Sequence, residues 1–321
     1  MGQRIVIALG GNALQANPKD ISSDAQLKTV IETAKTIVDL IKEDYEVIIV
    51  HGNGPQVGQI VSVYEKAENT PNMPFPECGA MSQGYIGYHL QQSIGEEMRK
   101  RGIHKEIAAV VTQVLVDKDD PAFKNPTKPV GSFFTEEEAK ELEENNGYIM
   151  KEDAGRGWRR VVPSPEPKSI VESNIIKSLV KQKFIVITAG GGGIPVIDEN
   201  NGSLKGVPAV IDKDLAAELV AEIVDADMLI ILTAVDKVYI NFNQPNKKGL
   251  DILTTEEAER YIEEGQFAPG SMLPKVKAAV KFVLSKEGRI AIITSLNKAK
   301  KGIEELDGTR IQHKNKGKEN Y

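Results

Sequence analysis

The chain has 321 residues, 40% apolar and 27% charged, a globular composition that excludes an intrinsically disordered polymer. Its net charge of −6 argues against a nucleic-acid partner, because phosphate backbones are held by clustered Lys and Arg. A single cysteine, Cys78, excludes an internal disulfide or a cysteine-built metal site.

No run approaches the roughly 18 apolar residues that span a bilayer, so no membrane association is expected. The start MGQRIVIALGGNALQ also lacks the cationic and apolar regions of a signal peptide, and a cytoplasmic protein is expected. In chain order, apolar runs at Ile5–Leu9, Glu46–Val50, Ala108–Val114, Phe184–Ala189, Met228–Thr233 and Ile290–Thr294 read as buried parallel strands. Between them, helices are expected over 24–43, 81–99, 213–226 and 273–287. The first follows Ser22 and Ser23, both good N-caps, and sets Leu27, Ile31, Ala34, Val38 and Ile41 near one face. Alternating strand and helix means a doubly wound α/β protein with a mostly parallel sheet.

Two stretches break the rhythm. Residues 117–165 are polar, carry prolines towards each end and hold Trp158, and a structureless loop of that length is unusual, so an inserted lid subdomain is expected. Residues 241–252 read as a surface excursion near a nucleotide. The basic tail Lys314–Lys318 reads as a frayed terminus.

Glycine clusters follow three of the strands: Gly10-Gly11-Asn12, then Gly52-Asn53-Gly54-Pro55-Gln56-Val57-Gly58, then Gly190-Gly191-Gly192-Gly193. Ligands of open α/β sheets sit outside the carboxyl ends of the strands, where glycine lets backbone N–H groups approach an anion. The bare alternative is a tight turn, which is less economical for three clusters than for one. No G-x-x-x-x-G-K-[ST] motif is present, and the third glycine of the second cluster comes one residue late for G-x-G-x-x-G, which weakens a dinucleotide reading.

Phosphoryl transfer asks for charge neutralisation and in-line geometry more than covalent help, which draws attention to lysines in neutral loops. Lys128 lies in the insert, Lys213 between Asp212 and Asp214 where a helix begins, and Lys275 beside Pro274 after a Gly-Ser turn. Each taken alone also fits a solvated surface lysine. Asp212 and Asp214 read equally as helix caps, or as one carboxylate holding a lysine while the other meets metal or water. Ser271 reads as an N-cap or a ligand contact, and His51 as a strand-end histidine rather than a base. Thr233–Tyr239 follows a strand and suits adenine and ribose.

In their order and spacing, Ala8–Ala13, His51–Gly58, Pro126–Pro129, Thr188–Pro195, Val210–Asp214 and Gly270–Val276 resemble the amino-acid-kinase family over essentially the whole chain. The resemblance implies a single α/β/α sandwich forming an acylphosphate in a homodimer, with ATP or ADP and Mg²⁺ as partners. The acceptor half is 1–180, with 117–165 as its lid, and the nucleotide half is 181–321. Within the family, the match points to carbamate as acceptor and carbamoyl phosphate as product, in a reaction that fermenting organisms run toward ATP at the end of arginine degradation. Carried over by position, Gly10, Gly11 and Asn12 would contact the moving phosphoryl group, and Gly52, Asn53 and Gly54 would line the acceptor site. Lys213 and Lys275 would neutralise phosphate oxygens, Asp214 would organise them, and Lys128 would close over the reacting group. Gly191, Gly192, Ala234, Val235, Tyr239, Ser271 and Met272 would hold the nucleotide. Many relatives carry a first-strand lysine that this chain lacks between Arg4 and Asn12, and Lys128 is a physically reasonable substitute. No metal ligand is assigned to the protein. The rival expectations are a regulatory nucleotide binder with a kinase fold and a nicotinamide-dependent oxidoreductase.

Overall fold

The computed structural model describes residues 2–17, 20–67, 69–153, 155 and 157–313, so the tail Lys314–Lys318 lies outside the described residues. An eight-stranded sheet runs in the spatial order Ile252–Thr254, Thr309–Gln312, Ile290–Ser295, Met228–Thr233, Arg4–Leu9, Glu46–His51, Ile185–Thr188, Ile107–Ala109. Neighbours pair in parallel except where Thr309–Gln312 meets Ile290–Ser295. Such strands must be apolar on both faces. The first shows why: Ile5, Ile7 and Leu9 belong to one core, and Val6 and Ala8 to the other.

The helices are α1 (Ser23–Lys42), α2 (Gly54–Lys66), α3 (Phe75–Lys100), α4 (Glu136–Asn146), α5 (Ser173–Lys181), α6 (Lys213–Ile223), α7 (Thr255–Glu263), α8 (Met272–Ser285) and α9 (Ala299–Ile303). Helices α1, α3 and α9 cover one face of the sheet, and α5, α6, α7 and α8 the other. Ser22 caps α1 as expected, accepting from the Ala25 N–H. Of its expected face Ala34, Val38 and Ile41 are buried, joined by Val30 and Ile37, whereas Ile31 is 38% exposed. In α3, Ile86, Leu90, Ile94 and Met98 are buried against the sheet, and each such side chain contributes roughly 2 kcal/mol.

The expected strand Ala108–Val114 is instead two. Ile107–Ala109 edges the main sheet, while Gln113–Val116 enters a separate four-stranded sheet with Pro167–Ile170, Ile194–Asp198 and Leu204–Gly206. The Gln83 amide brackets the backbone between them, accepting from Thr112 N at 2.8 Å and donating to Thr112 O at 3.0 Å. That side chain replaces the ladder bonds a continuous strand would make. The second sheet forms the root from which residues 117–165 project.

The described residues of this stretch form regular elements. Lys128–Phe134 pairs antiparallel with Trp158–Val162, which pairs with Met150–Glu152, and α4 packs beside them. A Thr135–Glu138 capping box starts α4, and Gly147 ends it at φ 65°. The Arg160 guanidinium lies 3.7 Å from the Tyr148 ring centroid and 3.4 Å from a Glu65 oxygen, tying the insert to α2. Residues 241–247 join the short antiparallel strands Val238–Ile240 and Lys248–Leu250.

Candidate active site

The carboxyl ends of the central strands, the start of α2, the insert and the starts of α6 and α8 enclose a cleft of about 250 Å³. Gly11, Gly52, Asn53, Gly54, Lys128, Gly191, Lys213, Asp214, Ser271 and Lys275 all line it. The sequence spreads these residues over more than two hundred positions, and the doubly wound topology gathers them at one sheet edge.

Asp214 is the centre of charge. It is 2% exposed, pairs with Lys213 through Oδ1, and accepts from Lys275 Nζ at 2.8 Å through Oδ2. Burial pushes its carboxyl up, but the two ammonium groups outweigh burial and hold it at about 2. Burial pulls the Lys213 ammonium below its ordinary range, an effect that Asp214 opposes and Lys275 reinforces. From the insert, Lys128 Nζ meets Asp212 Oδ2 at 2.7 Å. The other Asp212 oxygen caps α6 by accepting from Asp214 N at 2.9 Å, so this residue is a cap and an ion-pair partner at once. Three ammonium groups face two carboxylates here, which leaves one net positive charge for an anion.

The backbone supplies the rest. Asn53 stands at the N-cap of α2, yet makes no side-chain cap bond, and Pro55 follows in the first turn. Gly191 takes φ 68°, and a Cβ there would lie 2.2 Å from Asn53 Nδ2, so only glycine lets this turn approach the loop that starts α2. A Cβ on Gly52 would touch the Lys213 side chain at 3.3 Å. The Ser271 side chain makes no cap bond and is exposed.

Other expected residues sit elsewhere. Gly10 packs under the Leu232 carbonyl, 2.7 Å from where its Cβ would be, and Gly192 packs against the Ile211 carbonyl. Asn12 and Ala234 line an adjoining groove beside α1. Val235, Tyr239 and Met272 line neither space; Tyr239 stacks edge-on with Phe242, with Lys247 over both rings. His51 is fully buried, donates from Nδ1 to its neighbour's carbonyl at 2.8 Å, and is pushed by burial to about 4. It is neutral at physiological pH.

Sequence reasoning missed a shell behind the loop that starts α2. Gln56 Nε2 donates to Gln26 Oε1 at 3.1 Å, which also accepts from Tyr85, while Asn53 Nδ2 donates to Ser82 Oγ at 2.8 Å. No local signal announces these pairs, because 29, 30 and 59 residues separate the partners. Among the described residues no three His, Cys, Asp or Glu side chains cluster as a metal site, and no helix is long and apolar enough to cross a membrane. Asp212 and Asp214 are both engaged by lysines, so this donor set suits a cation held mainly by phosphate oxygens and water, as Mg²⁺ commonly is.

Residues 3–294 match the sequence profile of the amino acid kinase family. A carbamate kinase of Clostridium perfringens is 59% identical over 96% of this chain and 99% of its own length. A carbamate kinase-like protein of Escherichia coli is 57% identical over 97% of this chain and 99% of its own. Among solved structures, carbamate kinase from Giardia lamblia bound to AMP-PNP aligns with a TM-score of 0.90 at 44% identity, covering 98% of this chain and 99% of that one.

Proposed function

The chain belongs to the amino acid kinase family, and from that premise we propose that it catalyses ATP + carbamate ⇌ ADP + carbamoyl phosphate. The observation that carries this reading is the Lys213–Asp214–Lys275 bridge at the starts of two helices, faced by Lys128 from the insert. In the reaction a carbamate oxygen attacks the γ-phosphorus as the bond to the bridging oxygen of ADP breaks. Charge grows on that bridging oxygen and stays spread over the equatorial oxygens, so preorganised ammonium groups lower the barrier. Lys213 and Lys275 take the phosphate oxygens, with Asp214 fixing their separation, and Lys128 covers the acceptor side. The nucleophile is already an anion, so no general base is required, in keeping with a neutral, buried His51. Mg²⁺ bound with the nucleotide would add charge neutralisation, and Asp212 and Asp214 are the carboxylates that line the cleft.

In this reading residues 1–180 hold the acceptor, 117–165 act as its lid, and 181–321 hold the nucleotide. Gly10, Gly11 and Asn12 serve the moving phosphoryl group. Gly52, Asn53 and Gly54 serve the acceptor. Gly191, Gly192, Ala234, Val235, Tyr239, Ser271 and Met272 serve the nucleotide. The enzyme works in the cytoplasm as a homodimer, making ATP in arginine degradation. Tyr88 and Val111, 58% and 53% exposed at the outer edge of the sheet, offer an apolar face for a second copy. Purified protein given ADP, Mg²⁺ and carbamoyl phosphate should generate ATP, and background ATP alone would end the proposal. Light scattering tests the dimer separately.

A further inference from the structure

Asn53 is 92% buried, at the wall of the cleft, and the network behind it dictates which way its amide points. Ser82 Oγ lies 2.6 Å from the Gly79 carbonyl, which can only accept, so the single hydroxyl proton is committed there. Toward Asn53, Ser82 can therefore offer only a lone pair, and it accepts from Asn53 Nδ2 at 2.8 Å. Rotating the amide by half a turn would set Oδ1 against that lone pair. The same bond explains why an asparagine at a helix N-cap leaves the first turn uncapped. Oδ1 is left as an acceptor with no hydrogen-bond partner among the described residues.

Carbamate differs from acetate by an amino group in place of a methyl group, and its N–H bonds need acceptors. We propose that Asn53 Oδ1 accepts a hydrogen bond from the amino group of carbamate and carbamoyl phosphate, and that Ser82 is the positioning residue that imposes this orientation. The inference rests on the acceptor site proposed above and adds the means of discrimination. A methyl group placed against Oδ1 leaves a desolvated acceptor without a donor, and sites built to bond a polar group reject analogues lacking it far more strongly than shape alone does.

The test is ATP formation from ADP with carbamoyl phosphate or acetyl phosphate, read as the ratio of the two kcat/KM values. Wild type should favour carbamoyl phosphate. Ser82→Ala should lower the ratio at least about tenfold, mostly through carbamoyl phosphate, because the Asn53 amide is then free to turn. Ser82→Thr, which keeps the hydroxyl, should restore it. Asn53→Ala should remove the preference, and if that variant does not fold, the Ser82 pair decides alone. Equal losses on both substrates in Ser82→Ala would overturn the proposal, since a merely structural defect has no reason to distinguish a methyl from an amino group. A wild type that uses both substrates equally would overturn it too, while leaving a kinase. ATP from neither would overturn the proposed function itself.

Discussion

Gly58 of α2 and Gly131 of the insert are packed backbone to backbone: a Cβ on Gly58 would lie 2.7 Å from Gly131 Cα and 2.8 Å from its nitrogen. No flexible side chain is there to yield, and Gly131 itself takes φ 74°. Lys128 stands three residues away on the same strand. Gly58→Ala should therefore push the strand off α2 and pull Lys128 from Asp212. We expect kcat/KM for carbamoyl phosphate to fall about tenfold, with an overpacking cost near 1–3 kcal/mol. Affinity for ADP, measured by calorimetry, should hold, because Lys213 and Lys275 sit on α6 and α8. Unchanged kinetics would mean that the insert accommodates the methyl group without moving Lys128.

Asp214→Asn should destabilise the protein as well as slow it. The carboxyl is held at about 2 in the fold against an ordinary 3.8, so the folded state binds its proton less readily than the unfolded chain. Its contribution is present above pH 3.8 and lost as pH falls through 2. The difference corresponds to about 2 kcal/mol at pH 7, and leaving two ammonium groups together adds to the loss. Urea unfolding at pH 7 should place the variant below wild type by at least that amount. Equal midpoints would mean that water replaces the carboxylate without penalty.

The parts of this arrangement that sequence revealed are those whose cause is local. Runs of Val and Ile mark strands buried on both faces, and glycines after them mark the sheet edge where ligands sit. Lys213 between two aspartates already suggested an organised charge. The pairing of Lys275 with Asp214, 61 residues apart, needed the fold. So did the break at Thr112, because it is made by a glutamine on another helix. Ile31 leaves the expected face of α1 for a related reason: it is apolar, but the core lies under its neighbour Val30. Ser82 is invisible in sequence because a serine inside a helix carries no hint of what it bonds.

The lowered proton affinity of Lys213 has a kinetic counterpart. Burial favours the neutral amine, so in the free enzyme Lys213 should lose its proton below pH 10.5, the ordinary lysine value. The alkaline limb of kcat/KM reports free-enzyme groups, and it should fall earlier than an ordinary lysine predicts. Lys213→Arg, which cannot deprotonate, should remove that limb even if its plateau is lower. Lys213→Ala and Lys275→Ala should each cost at least about a hundredfold in kcat. A limb that persists in Lys213→Arg would assign the titration to another group.

Glu218 offers a test of stability remote from the chemistry. It is fully buried on α6, one turn beyond Asp214, and Lys281 of α8 reaches its Oε2 at 2.7 Å. Burial raises the carboxyl, a hydrogen bond with Glu222 adds to this, and Lys281, with its side chain 54% exposed, offsets only part; the result is about 8 against an ordinary 4.5. Because the folded value is the higher one, the stabilisation is complete below pH 4.5 and is lost as pH rises through 8. Glu218→Gln cannot acquire the charge. Its melting temperature should match wild type near pH 4.5, exceed it increasingly as pH rises towards 8, and keep that advantage without further growth above 8. Because α6 and α8 carry Asp214 and Lys275 at their starts, the variant should also keep activity at high pH for longer on heating. A wild-type advantage at pH 9 would mean that Glu218 is ionised and held by Lys281 throughout.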